Sequence, residues 1–447
     1  MKIHPPRIEI NPQNPFEHAL YERGAFAKTL TTIVRKTEDG VVLFVDAPWG
    51  DGKTTFAKMW IASLGEKEKQ SAIYFDSFEC DYMDDPFVAF SGEILEKTQA
   101  LVSGVQGAKW GNLRTNLRSA AGQLGVRILG AVTKQAIKTA SLGIVDDGVV
   151  KVATDAARDV MGDSAEKSAE SFALRIEEYS SGRQDLKRFK EALEALALQY
   201  RAEHGFPLTI LIDELDRCRP TFALNLLERI KHVFGVKGVA FVLLVNQAQL
   251  EENIRCVYGA GVDARSYLLK FADVLMHLPT GQPAYQHIRG RGEYALQLAE
   301  WHGLNHGQIA DAACLIAEIL SPTLRQTEKA VQLLTFFYAS QRHEAPEFFV
   351  TLLAFLKIVD PKTYEETLRR TISDDQFIHA SKLDQIKDGG ANFSREYVVA
   401  HARYYLGSDE TASEVGVQWR HLSGPLQASR KDRLPRICRH LDQFVLS

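Results

Sequence analysis

The sequence predicts an α/β fold with a central parallel sheet, a helical insertion and a C-terminal all-helical domain. In the first part of the chain, unbroken apolar runs of strand length alternate with segments of helical periodicity. This alternation is typical of a parallel sheet whose two faces are covered by helices. From Pro283 onward, only segments with helical periodicity remain.

Five apolar runs are predicted strands: residues 41–46, 71–76, 208–213, 239–245 and 273–278. Helices are expected to begin near Lys53, Pro86, Thr221 and Ala248, and five further helices are expected between residues 284 and 371. Four regions follow from these elements: 1–100 (an arm and the first half of the core), 101–185 (the helical insertion), 186–282 (the second half of the core) and 283–447 (the C-terminal helical domain).

A phosphate-binding loop is predicted immediately after the first strand. Residues 47–54 fit the pattern G-x-x-x-x-G-K-[ST], with alanine in place of the first glycine. The glycines let backbone N–H groups curl around an anion, and the following helix adds its positive N-terminal end. The alternative is a glycine-rich turn that binds nothing. The expected nucleotide-binding residues are Ala47, Pro48, Trp49, Gly50, Asp51, Gly52, Lys53, Thr54 and Thr55.

Two carboxylates follow the strand at 208–213, and they predict the rest of a hydrolytic site. Lys53 would contact the β- and γ-phosphates, while the Thr54 hydroxyl and Asp213 would hold Mg²⁺. Glu214 would polarise the attacking water as the general base. The alternative for Asp213 and Glu214 is a pair of helix-capping residues.

Asn246 ends the strand at 239–245 and has two open interpretations. It would contact the γ-phosphate or the lytic water, or it would cap the helix that starts at Gln247. Residues 246–249 read Asn-Gln-Ala-Gln and lack the Lys and Asp of a guanine-reading N-K-x-D motif. ATP is therefore the expected nucleotide.

Composition is that of an ordinary water-soluble protein. A formal net charge of -4 argues against a globally basic nucleic-acid binder. The five cysteines show no metal-binding spacing and predict reduced thiols in a cytoplasmic protein. No apolar run is long enough to cross a membrane, so no membrane span is expected.

Four segments together resemble the KAP family of P-loop NTPases. They are the W-G-x-G-K-T loop at 49–54, the D-E-L-D-R-C-R-P segment at 213–220, the Y-L-L-K helix end and final strand at 267–279, and the strand and D-D-P turn at 75–86. The resemblance covers about residues 16–100 and 185–345. It implies an ATPase core with an additional central strand, and it implies the association of bacterial members with defence against phage.

The resemblance also suggests one further residue, Arg325. The segment Ser321–Lys329 is similar to a helix start whose arginine reaches back to the γ-phosphate, although a solvent-exposed helix arginine is an equal alternative. An arginine supplied in trans would require a homo-oligomer, and the sequence does not choose among Arg217, Arg219 and Arg265.

The insertion departs from the many family members that carry membrane-spanning helices there. Charged residues recur throughout 124–160, and such charges are costly in a membrane. The segment Gly125–Lys138 instead predicts an amphipathic helix that packs on a partner or a second copy, with an interfacial membrane helix as the lesser alternative. The basic segment Arg430–Leu441 is compatible with nucleic acid, but its interleaved leucine and isoleucine residues favour a docking helix.

The sequence is compatible with three functions. The favoured one is a Mg²⁺-dependent ATPase that acts as a conformational or assembly switch, in anti-phage defence beside a separate effector protein. The second is a nucleotide-binding scaffold with little turnover, and the third, a small-molecule kinase, is disfavoured by the long insertion and the helical C-terminal domain.

Overall fold

The architecture was taken from a computed structural model of the chain. It describes residues 5, 9–83, 85–103, 108–129, 167–280, 290–304, 308–340, 346–386, 393–419 and 430–444. These residues divide into two compact units. The sheet unit comprises Gly24–Ala47 and Lys53–Leu278, and the helical unit comprises Met1–Arg23, Pro48–Gly52 and Pro279–Ser447.

The sheet unit is built on five parallel strands. They are β1 (Val41–Asp46), β2 (Ala72–Asp76), β3 (Leu208–Asp213), β4 (Val239–Val245) and β5 (Val274–His277). Their order in the sheet is β2-β3-β4-β1-β5. Every predicted strand is confirmed to within one residue at each end, and the predicted fold class is confirmed.

Strand β4 lies between β1, which precedes the glycine-rich loop, and β3, which precedes the acidic pair. All residues of β3 and β4 are buried, because both are interior strands with covered faces. The additional central strand that was expected is therefore β4, which separates β1 from β3. This order brings the carboxyl ends of β1, β3 and β4 to one edge of the sheet.

The other elements that the structure describes in the sheet unit are helical. The helices are Arg23–Lys36 (from Gly24 onward in this unit), Lys53–Ser63, Glu66–Gln70, Pro86–Ser103, Ala108–Leu129, Lys167–His204, Pro220–Ile230, Gln247–Tyr258 and Ala264–Leu268, with a 3₁₀ turn at Leu215–Arg217.

Two of these helices come from the insertion. Trp110 on Ala108–Leu129 contacts Tyr200 on Lys167–His204 edge to face, with ring centroids 6.5 Å apart. The amphipathic helix expected at Gly125–Lys138 lies outside the described residues beyond Leu129.

The helical unit has its own apolar core. Its helices are Arg291–Trp301, Ile309–Leu320, Leu324–Ser340, Glu347–Val359, Pro361–Arg369, Asp374–Ala380, Arg395–Leu406, Asp409–Gln418 and Arg430–Leu441, with a 3₁₀ turn at Leu383–Gln385. Glu347–Val359 lies at the centre of this core, and its residues 348–356 are all buried. Phe349 stacks on Tyr405 at a centroid distance of 4.9 Å.

Among the described helices, none is both long enough and apolar enough to span a bilayer.

Candidate nucleotide site

The loop after β1 has the backbone conformation that its glycines permit. Gly50 and Gly52 have φ angles of +87° and +76°, in the region where a side chain is strained. The helix Lys53–Ser63 begins directly after the second of these glycines. The segment therefore has the strand, loop and helix succession of a phosphate-binding loop.

Lys53 is buried and points back at the start of its own loop. Its Nζ donates to the backbone oxygen of Ala47 at 2.8 Å and lies 3.7 Å from Oδ2 of Asp216. Asp216 is also buried, in the 3₁₀ turn after β3. Sequence reasoning gave Asp216 no role, although it stands in the same acidic segment as Asp213 and Glu214.

Thr54 and Glu214, which are 160 residues apart in the chain, meet directly. The Thr54 hydroxyl donates to Oε1 of Glu214 at 3.0 Å. Glu214 adopts a left-handed conformation (φ +59°), which ends β3 abruptly and begins the 3₁₀ turn. Such a conformation is strained for a residue with a side chain, and strain of this kind is concentrated at functional sites. Oε2 of Glu214 also forms an ion pair with Nε of Arg217, at 2.5 Å.

Asp213 ends β3 and is fully buried. Its Oδ1 accepts the backbone N–H of Glu214 at 2.8 Å, and its Oδ2 accepts the hydroxyl of Tyr74 at 2.8 Å. Burial raises the pKa of Asp213, while the hydrogen bonds from Tyr74 and from the Glu214 N–H act in the opposite direction. These two donors favour the ionised carboxylate, which is the form that binds a metal ion.

Burial and the neighbouring charge of Asp213 raise the pKa of Glu214, and Arg217 and Thr54 lower it. A carboxylate with a raised pKa is a stronger base than an exposed one. Glu214 is thus a partly buried carboxylate with a raised pKa that lies against the Thr54 hydroxyl.

Asn246 follows β4 at the same edge of the sheet. Its side-chain oxygen accepts the N–H of Gln249 at 3.4 Å, so it caps the helix Gln247–Tyr258. The capping alternative is therefore seen in the structure. Because capping uses the amide oxygen, the amide nitrogen remains the group with which Asn246 would contact a phosphate.

Within the helical unit, the segment Pro48–Gly52 is held by main-chain and side-chain contacts. The backbone N–H of Arg325 donates to the Gly50 oxygen at 3.1 Å. The Leu324 N–H donates to Oδ1 of Asp51 at 3.3 Å, at the start of the helix Leu324–Ser340. Arg325 thus contacts this segment through its backbone, and its side chain is exposed.

Two arginines flank Asp51, which is almost fully buried. Arg23 donates to the Asp51 backbone oxygen, and Arg291 lies 3.6 Å from Oδ2 of Asp51. Both guanidinium groups also contact the ring of Tyr21, at 5.4 Å and 5.5 Å from its centroid. Burial lowers the pKa of Arg23 to about 10, and Tyr21 and Asp51 act in the opposite direction.

The other arginines considered from the sequence have different surroundings. Arg219 pairs with Asp81 at 3.2 Å, and Arg265 is exposed on the short helix Ala264–Leu268. Three further residues contact the predicted site residues, and the sequence motifs do not predict these contacts. They are Tyr74, Asp216 and Arg217. Asp216 and Arg217 lie in the acidic segment 213–220, so their closeness to the site could be inferred from the sequence. The contact of Tyr74 with Asp213 depends on the register of β2 on β3, which no sequence motif indicates.

A match to a protein-family model agrees with this geometry. A family model described as "KAP family P-loop domain" matches residues 23–284, more than half of the chain. Among solved structures, the chain is similar to the ORC2 protein of Aeropyrum pernix in its ADPNP–ADP complexes, with 13% identity, a TM-score of 0.37, and coverage of 98% of this chain and 97% of that one. No curated protein gives a significant match. The loop, the acidic strand end and the match to the family model lead to one assignment: this chain belongs to the KAP family of P-loop NTPases.

Proposed function

We propose that this protein is a Mg²⁺-dependent ATPase whose nucleotide cycle switches its conformation or assembly state. The proposal rests chiefly on the meeting of Thr54 with Glu214 beside Asp213. A hydroxyl from a phosphate-binding loop and two carboxylates from a neighbouring strand end are the groups that Mg²⁺-assisted hydrolysis of a nucleotide requires.

Residues 47–55 of the loop would bind the triphosphate. Gly50 and Gly52 provide the open backbone, and Lys53 provides the charge for the β- and γ-phosphates. In the structure, Lys53 is paired with the Ala47 oxygen and Asp216, so it would exchange these partners for phosphate oxygens. The absence of an N-K-x-D motif after β4 supports adenine as the base.

The donor set near Thr54 fits Mg²⁺, which prefers hydroxyl, carboxylate and phosphate oxygens. Thr54 and Asp213 would hold the ion, Asp213 directly or through water. When bound, Mg²⁺ supplies neutralisation of the charge that develops on the phosphate oxygens. Glu214 then orients and deprotonates the attacking water, and Asn246 is the candidate for contact with the γ-phosphate.

A nucleotide-binding scaffold with little turnover is the second candidate. One observation favours it: both oxygens of the Glu214 carboxylate have protein partners, Thr54 and Arg217. The Arg217 cation lowers the pKa of this carboxylate and so weakens it as a base.

ATP binding and phosphate release, measured on the same protein, test the proposal. We expect the wild type to bind ATP and release phosphate, and we expect Lys53→Ala to lose both. Lys58→Ala is the matched control, because Lys58 is an exposed lysine on the same helix. Binding without phosphate release would favour the scaffold, and transfer of phosphate to an acceptor other than water would favour a kinase.

We further propose that the protein is cytoplasmic, that it forms a homo-oligomer on binding ATP, and that it serves anti-phage defence with a separate effector. The last part follows from the family resemblance. Sizing with and without ATP tests assembly, and an oligomer indifferent to nucleotide would contradict it. Phage plaque counts on cells with the wild type or Lys53→Ala, each with the neighbouring genes, test the defence role.

A further inference from the structure

We propose that Tyr74 is a positioning residue that fixes the Asp213 carboxylate for the Mg²⁺ of the bound nucleotide. This inference rests on the proposed function, and it adds a residue to which neither the sequence motifs nor the family match assigns a role.

The geometry begins with the pairing of two strands. β2 and β3 are parallel, with Tyr74 opposite Leu211 and Asp76 opposite Asp213. Because side chains alternate along each strand, Tyr74, Leu211 and Asp213 project from the same face. Tyr74 lies one side-chain repeat before the end of β2, and its hydroxyl reaches Oδ2 of Asp213 at 2.8 Å.

The two hydrogen bonds to Asp213 fix the plane of its carboxylate. Oδ1 accepts the Glu214 N–H and Oδ2 accepts the Tyr74 hydroxyl, both at 2.8 Å. The main-chain bond alone would allow the second oxygen to move with the side-chain torsion. With Tyr74 present, each oxygen has one defined donor and keeps further lone pairs for a metal ion or its water.

A phenol suits this place better than a cationic side chain. A lysine or arginine would neutralise Asp213 and compete with the metal ion for its charge. A tyrosine hydroxyl orients the carboxylate and leaves its negative charge available. Groups that orient a metal ligand in this way commonly contribute about 10-fold to 100-fold to metal affinity.

The alternative is that Tyr74 only satisfies a buried carboxylate. In that case its loss would lower stability equally with and without Mg²⁺. A positioning role instead changes the Mg²⁺ dependence of nucleotide binding and leaves metal-free binding unchanged.

The test is the affinity of Tyr74→Phe for ATP, first in EDTA and then over a Mg²⁺ titration. We expect wild-type affinity in EDTA and a rise of about 10-fold or more in the Mg²⁺ concentration at half-saturation. Tyr267→Phe is the matched control, because it removes a tyrosine–carboxylate hydrogen bond (to Glu228, 2.5 Å) elsewhere in the sheet unit. It should behave as the wild type.

A double variant separates the two roles further. If Tyr74 acts through Asp213, adding Tyr74→Phe to Asp213→Asn should leave the Mg²⁺ half-saturation of the single Asp213→Asn variant unchanged. Additive effects would overturn the proposal. So would a folded Tyr74→Phe with wild-type Mg²⁺ half-saturation.

Failure to fold is also decisive. Tyr74→Gln keeps an N–H donor, and if neither it nor Tyr74→Phe folds, the role is structural and the proposal is overturned. A wild type whose ATP affinity does not respond to Mg²⁺ would instead overturn the proposed function itself.

Discussion

At the scale of single residues, Glu214 is the centre of the candidate site. Its left-handed backbone turns the chain at the end of β3, and its carboxylate then meets Thr54 and Arg217. A strained backbone conformation held by several partners fixes the orientation of the side chain, and a general base must be oriented toward the water that it deprotonates. Removing its charge while keeping its shape is the sharpest test of that role.

We expect Glu214→Gln to keep ATP binding and to lower phosphate release by about 100-fold or more, because general-base catalysis contributes a factor of this size. Equilibrium binding of ATP and a phosphate-release assay measure the two effects separately. Glu228→Gln serves as the control, since Glu228 bonds Tyr258 and Tyr267. Unchanged turnover in Glu214→Gln would rule out the base assignment.

The residues of the site differ in how far the sequence discloses them. Lys53, Thr54, Asp213 and Glu214 stand in two short motifs next to apolar strands, so local patterns suffice to select them. Tyr74 is 139 residues from Asp213, and only the register of β2 on β3 brings them together. Arg217 was considered only as an arginine donated to another subunit, and the structure pairs it with Glu214 in its own chain.

At the scale of elements, the loop depends on its glycines for two different reasons. Gly52 has a positive φ, in which a side chain would be strained. Gly50 has a positive φ as well, and a Cβ placed on it would lie 2.7 Å from the Cβ of Arg325. That neighbour is close to the backbone and cannot swing away as the end of a flexible chain would.

We therefore expect Gly50→Ala to be destabilising by about 1–3 kcal/mol in free energy of unfolding, from backbone strain and overpacking together. Chemical denaturation of the full chain measures this change. Gly111→Ala is the control within a helix, where nothing lies within 4 Å of an added Cβ. For Gly111→Ala we expect the free energy of unfolding to rise by about 0.5–1 kcal/mol. Equal effects of the two substitutions would contradict the close approach at Gly50.

The elements themselves were predictable where a short signal is complete. β1, β3 and β4 are mostly apolar runs that end in a polar residue or are directly followed by one, and they are found where the runs lie. The helices Asp374–Ala380, Arg395–Leu406 and Asp409–Gln418 were not predicted, although each begins at a capping serine. Their sequences are short or lack a clear apolar period. Tertiary packing within the helical unit therefore stabilises these helices, and local periodicity does not reveal them.

At the scale of the whole molecule, each unit has its own core, and the helical unit also contains a buried charge cluster. Asp51 is almost fully buried beside Arg291, and Arg23 is bound to its backbone oxygen. Buried charges are tolerated when they are paired, and removal of one partner leaves the other without compensation.

We expect Asp51→Asn to lower the free energy of unfolding by about 3 kcal/mol, because Arg291 loses its carboxylate partner inside the protein. Denaturation of the full chain in urea, followed by circular dichroism, measures the loss. Glu365→Gln is the control: it breaks an exposed pair with Arg369 in the same unit, which contributes about 0.3–0.5 kcal/mol at most. Equal losses of free energy of unfolding in the two variants would show that the buried pair stabilises the protein no more than the exposed pair does.

The hydrogen bond from the Arg325 N–H to the Gly50 oxygen limits what a substitution at position 325 can change. Main-chain atoms form it, so nineteen amino acids at position 325 can keep it and proline alone cannot. A substitution at position 325 can therefore remove the guanidinium group and leave this main-chain hydrogen bond in place.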